Sequence, residues 1–124
     1  KGAVATSIGH DSHNLVVVGV REEDMVLAAN QVLKNQGGLA IALDGSIAAE
    51  LPLPIAGLMT DLPAEMVEEK LAEMKGLLRK LGISEEIDPF MTLAFVSLPV
   101  IPDIRLNTYG IIDVPNHQIV EAVF

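Results

Sequence analysis

The hydrophobic pattern of the chain alternates between short β-branched runs and longer stretches with helical spacing. Residues 3–8 read as a short strand, and residues 15–20 as a nearly continuous β-branched run. Such a run suits a strand buried on both faces, as in a sheet covered by helices. Over residues 22–35 the apolar positions Met25, Ala28, Ala29, Val32 and Leu33 fall on one stripe and predict a helix. Glu22, Glu23 and Asp24 at its start and Lys34 near its end suit the helix dipole, and Gln36-Gly37-Gly38 stops it. Residues 39–43 and 46–51 flank Asp44-Gly45, a type I′ turn signal, and so predict a hairpin.

Pro52 and Pro54 end that pairing, because proline has no N–H to give a ladder. A compact apolar turn follows at residues 55–59. Pro63 then opens a helix running to residue 81, with Val67, Leu71, Met74, Leu78 and Leu81 as its buried stripe and Gly82 as its stop. Gly76 in its interior costs about 1 kcal/mol relative to alanine, which predicts a close packing partner there. Asp88-Pro89 starts a third helix over residues 90–98, with Phe90, Leu93 and Ala94 on one face. The same residues are apolar enough for a central strand, and periodicity alone does not decide. Pro99 and Pro102 make the next segment extended, Tyr109-Gly110 turns the chain, and residues 111–114 and 119–124 read as strands. The fold class is α/β or α+β: one domain over residues 1–124, a mixed sheet packed with two to three helices, without internal repeat or linker.

Composition narrows the function. The 124 residues are enough for one hydrophobic core, and 50% hydrophobic content excludes a disordered tail. No stretch reaches the roughly 18 uninterrupted apolar residues of a membrane span. There is no cysteine, hence no disulfide or thiolate metal site. Seventeen acidic against eight basic residues give a net charge of −9. That balance, with three Phe and one Tyr as the only aromatics, argues against a nucleic-acid partner. No signal peptide is visible before the first strand, and the lack of a starting Met suggests a fragment or a trimmed chain.

Chemically able residues concentrate in one loop, His10-Asp11-Ser12-His13-Asn14. His10 and His13 are candidate metal ligands, with Asp11 as a third ligand or an orienting acceptor. The plainer reading is a tight turn whose Asp, Ser and Asn side chains satisfy their own backbone. A triad built on Ser12 fails on context, since no G-x-S-x-G elbow is present. Glu50 is placed at a strand end where α/β folds collect ligands, or is a solvated edge residue. Asp61 reads as a helix-start acid. The methionines read as core filler. No glycine-rich phosphate loop exists.

Three segments taken together resemble the carboxy-terminal domain of bacterial and archaeal adenine deaminases. They are His10-Asp11-Ser12-His13-Asn14 after a short strand, then Glu50-Leu51-Pro52-Leu53-Pro54-Ile55-Ala56-Gly57-Leu58-Met59 with Asp61, then Asp88-Pro89-Phe90-Met91-Thr92-Leu93 through Leu98-Pro99-Val100-Ile101-Pro102. The resemblance spans essentially the whole chain. It implies a cytoplasmic amidohydrolase-type parent that converts adenine and water to hypoxanthine and ammonia in purine salvage. It further implies a binuclear Mn or Fe centre, held in an amino-terminal barrel whose metal motifs are absent here, so that the fragment alone lacks activity. The implied partners are that barrel, adenine and further identical subunits, without nucleic acid or membrane. Within that frame, His10, Asp11, Ser12, His13 and Asn14 are candidates for closing the adenine pocket or for an interface, and His10 and His13 for a secondary metal contact. The competing expectation is structural: the apolar Pro-rich segments 51–59 and 98–102 pack on the barrel or on another subunit. A third is a small-ligand domain.

Overall fold

Asp44 and Gly45 both sit at positive φ, 50° and 79°, the left-handed pair that a type I′ turn requires. The computed structural model describes residues 1–121. Its elements are β1 (Ala3–Thr6), β2 (Val16–Gly19), α1 (Glu22–Lys34), β3 (Gly38–Leu43), β4 (Ser46–Pro52), α2 (Ala64–Lys80), α3 (Pro89–Val96), β5 (Ile104–Asn107), β6 (Gly110–Asp113) and β7 (Gln118–Val120). The Asp44-Gly45 turn joins β3 to β4, and β1 pairs on the other side of β3, giving the order β2-β1-β3-β4. A second, three-stranded sheet has the order β5-β6-β7. Every pairing is antiparallel.

Strand alternation gives the main sheet two unlike faces. Ala3, Ala5, Ala40 and Ala42 point to one side, where Ala28 and Val32 of α1 pack on them. These small side chains let the helix lie close. At Gly19, opposite Ala3, an added Cβ would meet the Met25 side chain at 2.5 Å. The other face carries Val4, Leu39, Ile41 and Leu51, packed with Leu53, Met74 and Leu78 from the α2 side and Leu93 of α3. Burial of each such side chain stabilises the fold by about 1.5–3 kcal/mol. The small α/β architecture is as expected, with helices on both faces of an antiparallel sheet. Asp24 links two elements: fully buried in the first turn of α1, its Oδ1 accepts the Gly45 N–H at 2.8 Å.

Several local expectations are corrected. Residues 15–20 do not form a strand buried on both faces: β2 is an edge strand, with Val18 48% and Val20 78% exposed. A β-branched run satisfies an edge as well as a centre, because β-branching reports extended backbone rather than burial. Residues 90–98 are helical, because the Asp88 carboxylate accepts the Met91 N–H at 3.1 Å and Pro89 takes the first turn. Gly76 has no close partner; it is exposed, and nothing lies within 4 Å of an added Cβ. Of the methionines only Met74 is deep in the core, while Met59, Met66 and Met91 are exposed. Leu33 also leaves its stripe for solvent. Asp61 does not cap α2, whose N-cap position is Pro63 without a side-chain bond. The strand expected at 119–124 is seen as Gln118–Val120, and residues 122–124 of that expectation lie outside the described residues.

Candidate functional site

The three segments singled out in the sequence meet at the end of β1. Ser7, just past that strand, ties the second of them to the start of β3. Its Oγ accepts the Gly38 N–H at 2.8 Å and donates to the Gly57 carbonyl at 2.6 Å. This fastens residues 54–59 beside the sheet, where Gly37 and Gly57 touch so closely that a Cβ on Gly37 would fall 2.3 Å from the Gly57 Cα. The third segment enters through α3. The His10 N–H donates to the Ala94 carbonyl at 2.9 Å, and the His10 ring lies 5.0 Å from the Phe95 ring.

Between these anchors the loop at 10–14 turns tightly. Thr6 Oγ1 accepts the Ile8 N–H at 3.0 Å, and a Cβ at Gly9 would sit 2.6 Å from the Ser12 carbonyl oxygen. The Gly9 N–H donates to His13 Nδ1 at 3.1 Å. A backbone N–H can only donate, so Nδ1 presents its lone pair and the neutral ring carries its proton on Nε2. His13 is therefore set to donate outward from Nε2. Metal-ligating histidines show the reverse arrangement, donating their second ring N–H to an acceptor. The side chains of Asp11, Ser12 and Asn14 make no hydrogen bond among the described residues, and His10, Asp11, Ser12 and His13 are exposed. The expected self-satisfied turn is thus only partly realised, through His13 rather than through Asp, Ser or Asn.

Residues 1–118 match the sequence family described as adenine deaminase C-terminal domain. The chain belongs to that family. Proteins named adenine deaminase from Kosmotoga olearia and Lysinibacillus sphaericus are 52% and 48% identical to it, over 97% and 98% of this chain. Adenine deaminase 2 of Carboxydothermus hydrogenoformans is 48% identical over 97%. The chain spans about a fifth of the length of these curated relatives, 21% in each case.

As an adenine deaminase C-terminal domain, the chain does not offer a metal site of its own among the described residues. No three His, Asp or Glu side chains there come together in a way that would hold an ion. A contact from His10 or His13 to a metal would need further donors from beyond the described residues. Glu50 is neither a free ligand nor a solvated edge group: its Oε2 accepts from Gln31 Nε2 at 2.5 Å and Asn35 Nδ2 at 2.6 Å, both from the α1 side. Beside the loop a cavity of about 410 Å³ opens between α2 and α3, floored by Ile8, Leu39, Met74 and Phe90 and rimmed by Lys75 and Arg79. Sequence reasoning missed Ser7 and this cavity. A lone serine after a strand carries no signal until Gly38 and Gly57 are known to flank it.

Proposed function

We propose that this chain is the accessory carboxy-terminal domain of an adenine deaminase, whose parent polypeptide hydrolyses adenine with water to hypoxanthine and ammonia in purine salvage. In this reading the Mn or Fe centre belongs to an amino-terminal barrel outside the chain, and the chain alone is inactive. The parent is cytoplasmic and assembles from identical subunits. Among the described residues no helix is long and apolar enough to cross a membrane.

The loop at 10–14 faces the barrel and helps close the adenine pocket. One observation carries this: His13 is oriented by the Gly9 N–H to donate from Nε2, beside polar side chains that the domain itself leaves unbonded. Ring nitrogens of a purine are acceptors that such a donor fits. The test is adenine turnover by the full-length parent carrying His10→Ala or His13→Ala. Loss of one such hydrogen bond, about 1.4 kcal/mol, lowers kcat/KM about ten-fold for His13→Ala. Unchanged kinetics with unchanged melting temperature would sink the proposal.

A second reading is favoured by the exposure of Ile55, Met59 and Val100. Here the segments 51–59 and 98–102 pack on the barrel or another subunit, and the domain acts only structurally. The isolated chain would then self-associate, and a clean monomer at high concentration counts against it. A small-ligand role would use the cavity between α2 and α3, whose size falls within the roughly 300–1,000 Å³ of ligand pockets. Purines, with and without Mn²⁺, would then raise the melting temperature.

A further inference from the structure

The two sheets expose four outer edges, and three of them are blunted. The direction of each backbone group follows from the antiparallel ladder, in which successive residues alternate between facing the partner and facing away. In β4 the Leu53 N–H bonds to Gly37, which turns Glu50 and Pro52 outward. Lys70 Nζ donates to the Glu50 carbonyl, Pro52 has no N–H, and a register shift opposite Ile41 and Ala42 breaks the rest. In β5 the Val114 N–H bonds to Asp103, which turns Ile104 outward, and the Arg105 guanidinium donates to the Ile104 carbonyl. β7 is three residues long. Bulges, prolines, covering cations and short length are the devices by which proteins keep an edge from pairing.

β2, four residues long, has no bulge, proline or covering cation among the described residues. The Val20 N–H bonds to the Gly2 carbonyl, so Val16, Val18 and Val20 face β1 while Val17 and Gly19 face away. Among the described residues no strand pairs with that side. Both outward residues keep an N–H and a C=O, no proline or lysine lies within the strand, and the flanking Leu15, Val18 and Val20 are exposed. An unguarded apolar edge of this kind is a pairing template.

We propose that this edge is completed by an extended strand from the parent polypeptide, outside the present chain. The proposal rests on the reading of the chain as one domain of a longer deaminase. About four-fifths of each curated relative lies beyond the match. The chain enters the sheet at β1, the strand next to β2: Gly2 pairs with the inward side of Val20, and the Lys1 amino group donates to the Leu81 carbonyl at 3.0 Å. Polypeptide attached there is tethered one strand away from Val17 and Gly19, and so at a higher effective concentration than a separate molecule. The added strand would extend the sheet to five strands and bury Val18 and Val20. It would also brace the 10–14 loop, which leads into β2.

The test is amide hydrogen exchange in the full-length parent enzyme, resolved at Val17, Val18 and Gly19, with adenine turnover measured on the same preparation. Val17 and Gly19 should exchange at least about 100-fold more slowly than unstructured peptide amides, matching the inward-facing Val18, at every enzyme concentration. Exchange at Val17 and Gly19 at the unstructured rate, with Val18 still protected, overturns the proposal. Protection that disappears when the enzyme is diluted to monomers also overturns it, because a second copy is then the occupant. Turnover separates the two readings. An active enzyme with a fast edge loses only the added strand, and an inactive one with a slow edge loses only the assigned reaction.

Discussion

Replacing Ser7 by alanine removes one hydroxyl and unties two segments at once. The Gly38 N–H, which the hydroxyl accepts at 2.8 Å, belongs to a fully buried residue. The Gly57 carbonyl, to which it donates at 2.6 Å, is half-buried, so water can replace the serine there. Leaving a buried donor unsatisfied costs about 1–3 kcal/mol, and the partly solvated carbonyl adds less. A total of about 2–3 kcal/mol follows. For a domain of this size each kcal/mol moves the melting temperature by about 3–5 °C, so Ser7→Ala should melt roughly 6–12 °C lower. Thermal and urea unfolding monitored by circular dichroism would measure it, with a lowered urea midpoint and an unchanged slope. Ser12→Ala is the control, because Ser12 is exposed and makes no side-chain bond among the described residues; it should stay within about 0.5 kcal/mol of the parent sequence. A Ser7→Ala melting temperature within about 2 °C of wild type would refute the role of Ser7 as the tie between segments.

Three further substitutions test other parts of the argument. Gly76→Ala should stabilise the domain by about 0.5–1 kcal/mol, since the site is helical, exposed and empty around the new methyl, and a lower melting temperature would contradict the packing described. Met74→Ala, at a fully buried position under the main sheet, should cost about 2–5 kcal/mol in urea unfolding. Asp88→Ala removes the cap of α3 and should cost about 1 kcal/mol, with helical signal lost at α3 because its first-turn Met91 N–H is left without a partner.

The helices were legible because their signals are local. The stripe from Val67 to Leu81 and the Asp-Gly turn each report on a few neighbouring residues. At Asp88-Pro89 the capping chemistry decided what periodicity left open. Pairing order was not legible. Nothing in residues 3–8 says that β1 lies between β2 and β3, and so nothing in 15–20 says that β2 ends the sheet. The exposure of Val18 and Val20 is a tertiary fact. Glu50 fails the same way: its partners Gln31 and Asn35 lie in the preceding helix, and only the fold brings them to it. For the site, sequence picked out the loop and the two apolar segments. It did not show that Ser7 ties Gly57 to Gly38, that His10 meets Ala94 and Phe95, or that His13 Nδ1 is already occupied by the Gly9 N–H.

The bond from Asp24 to the Gly45 N–H bears on the order in which the molecule assembles. It spans one short stretch of chain and closes α1 onto a hairpin with a two-residue turn. Contacts this local form before distant ones, because little chain entropy is lost in closing them. α1, β3 and β4 therefore form one local unit and the β1–β2 hairpin another, and the β1–β3 pairing that joins them is the non-local step. The 10–14 loop lies within the second unit, whereas the contact of Ser7 with Gly38 forms only when the two units join. Mutations in the Asp24–Gly45 contact should slow refolding, whereas changes that weaken the β1–β3 pairing should mainly hasten unfolding.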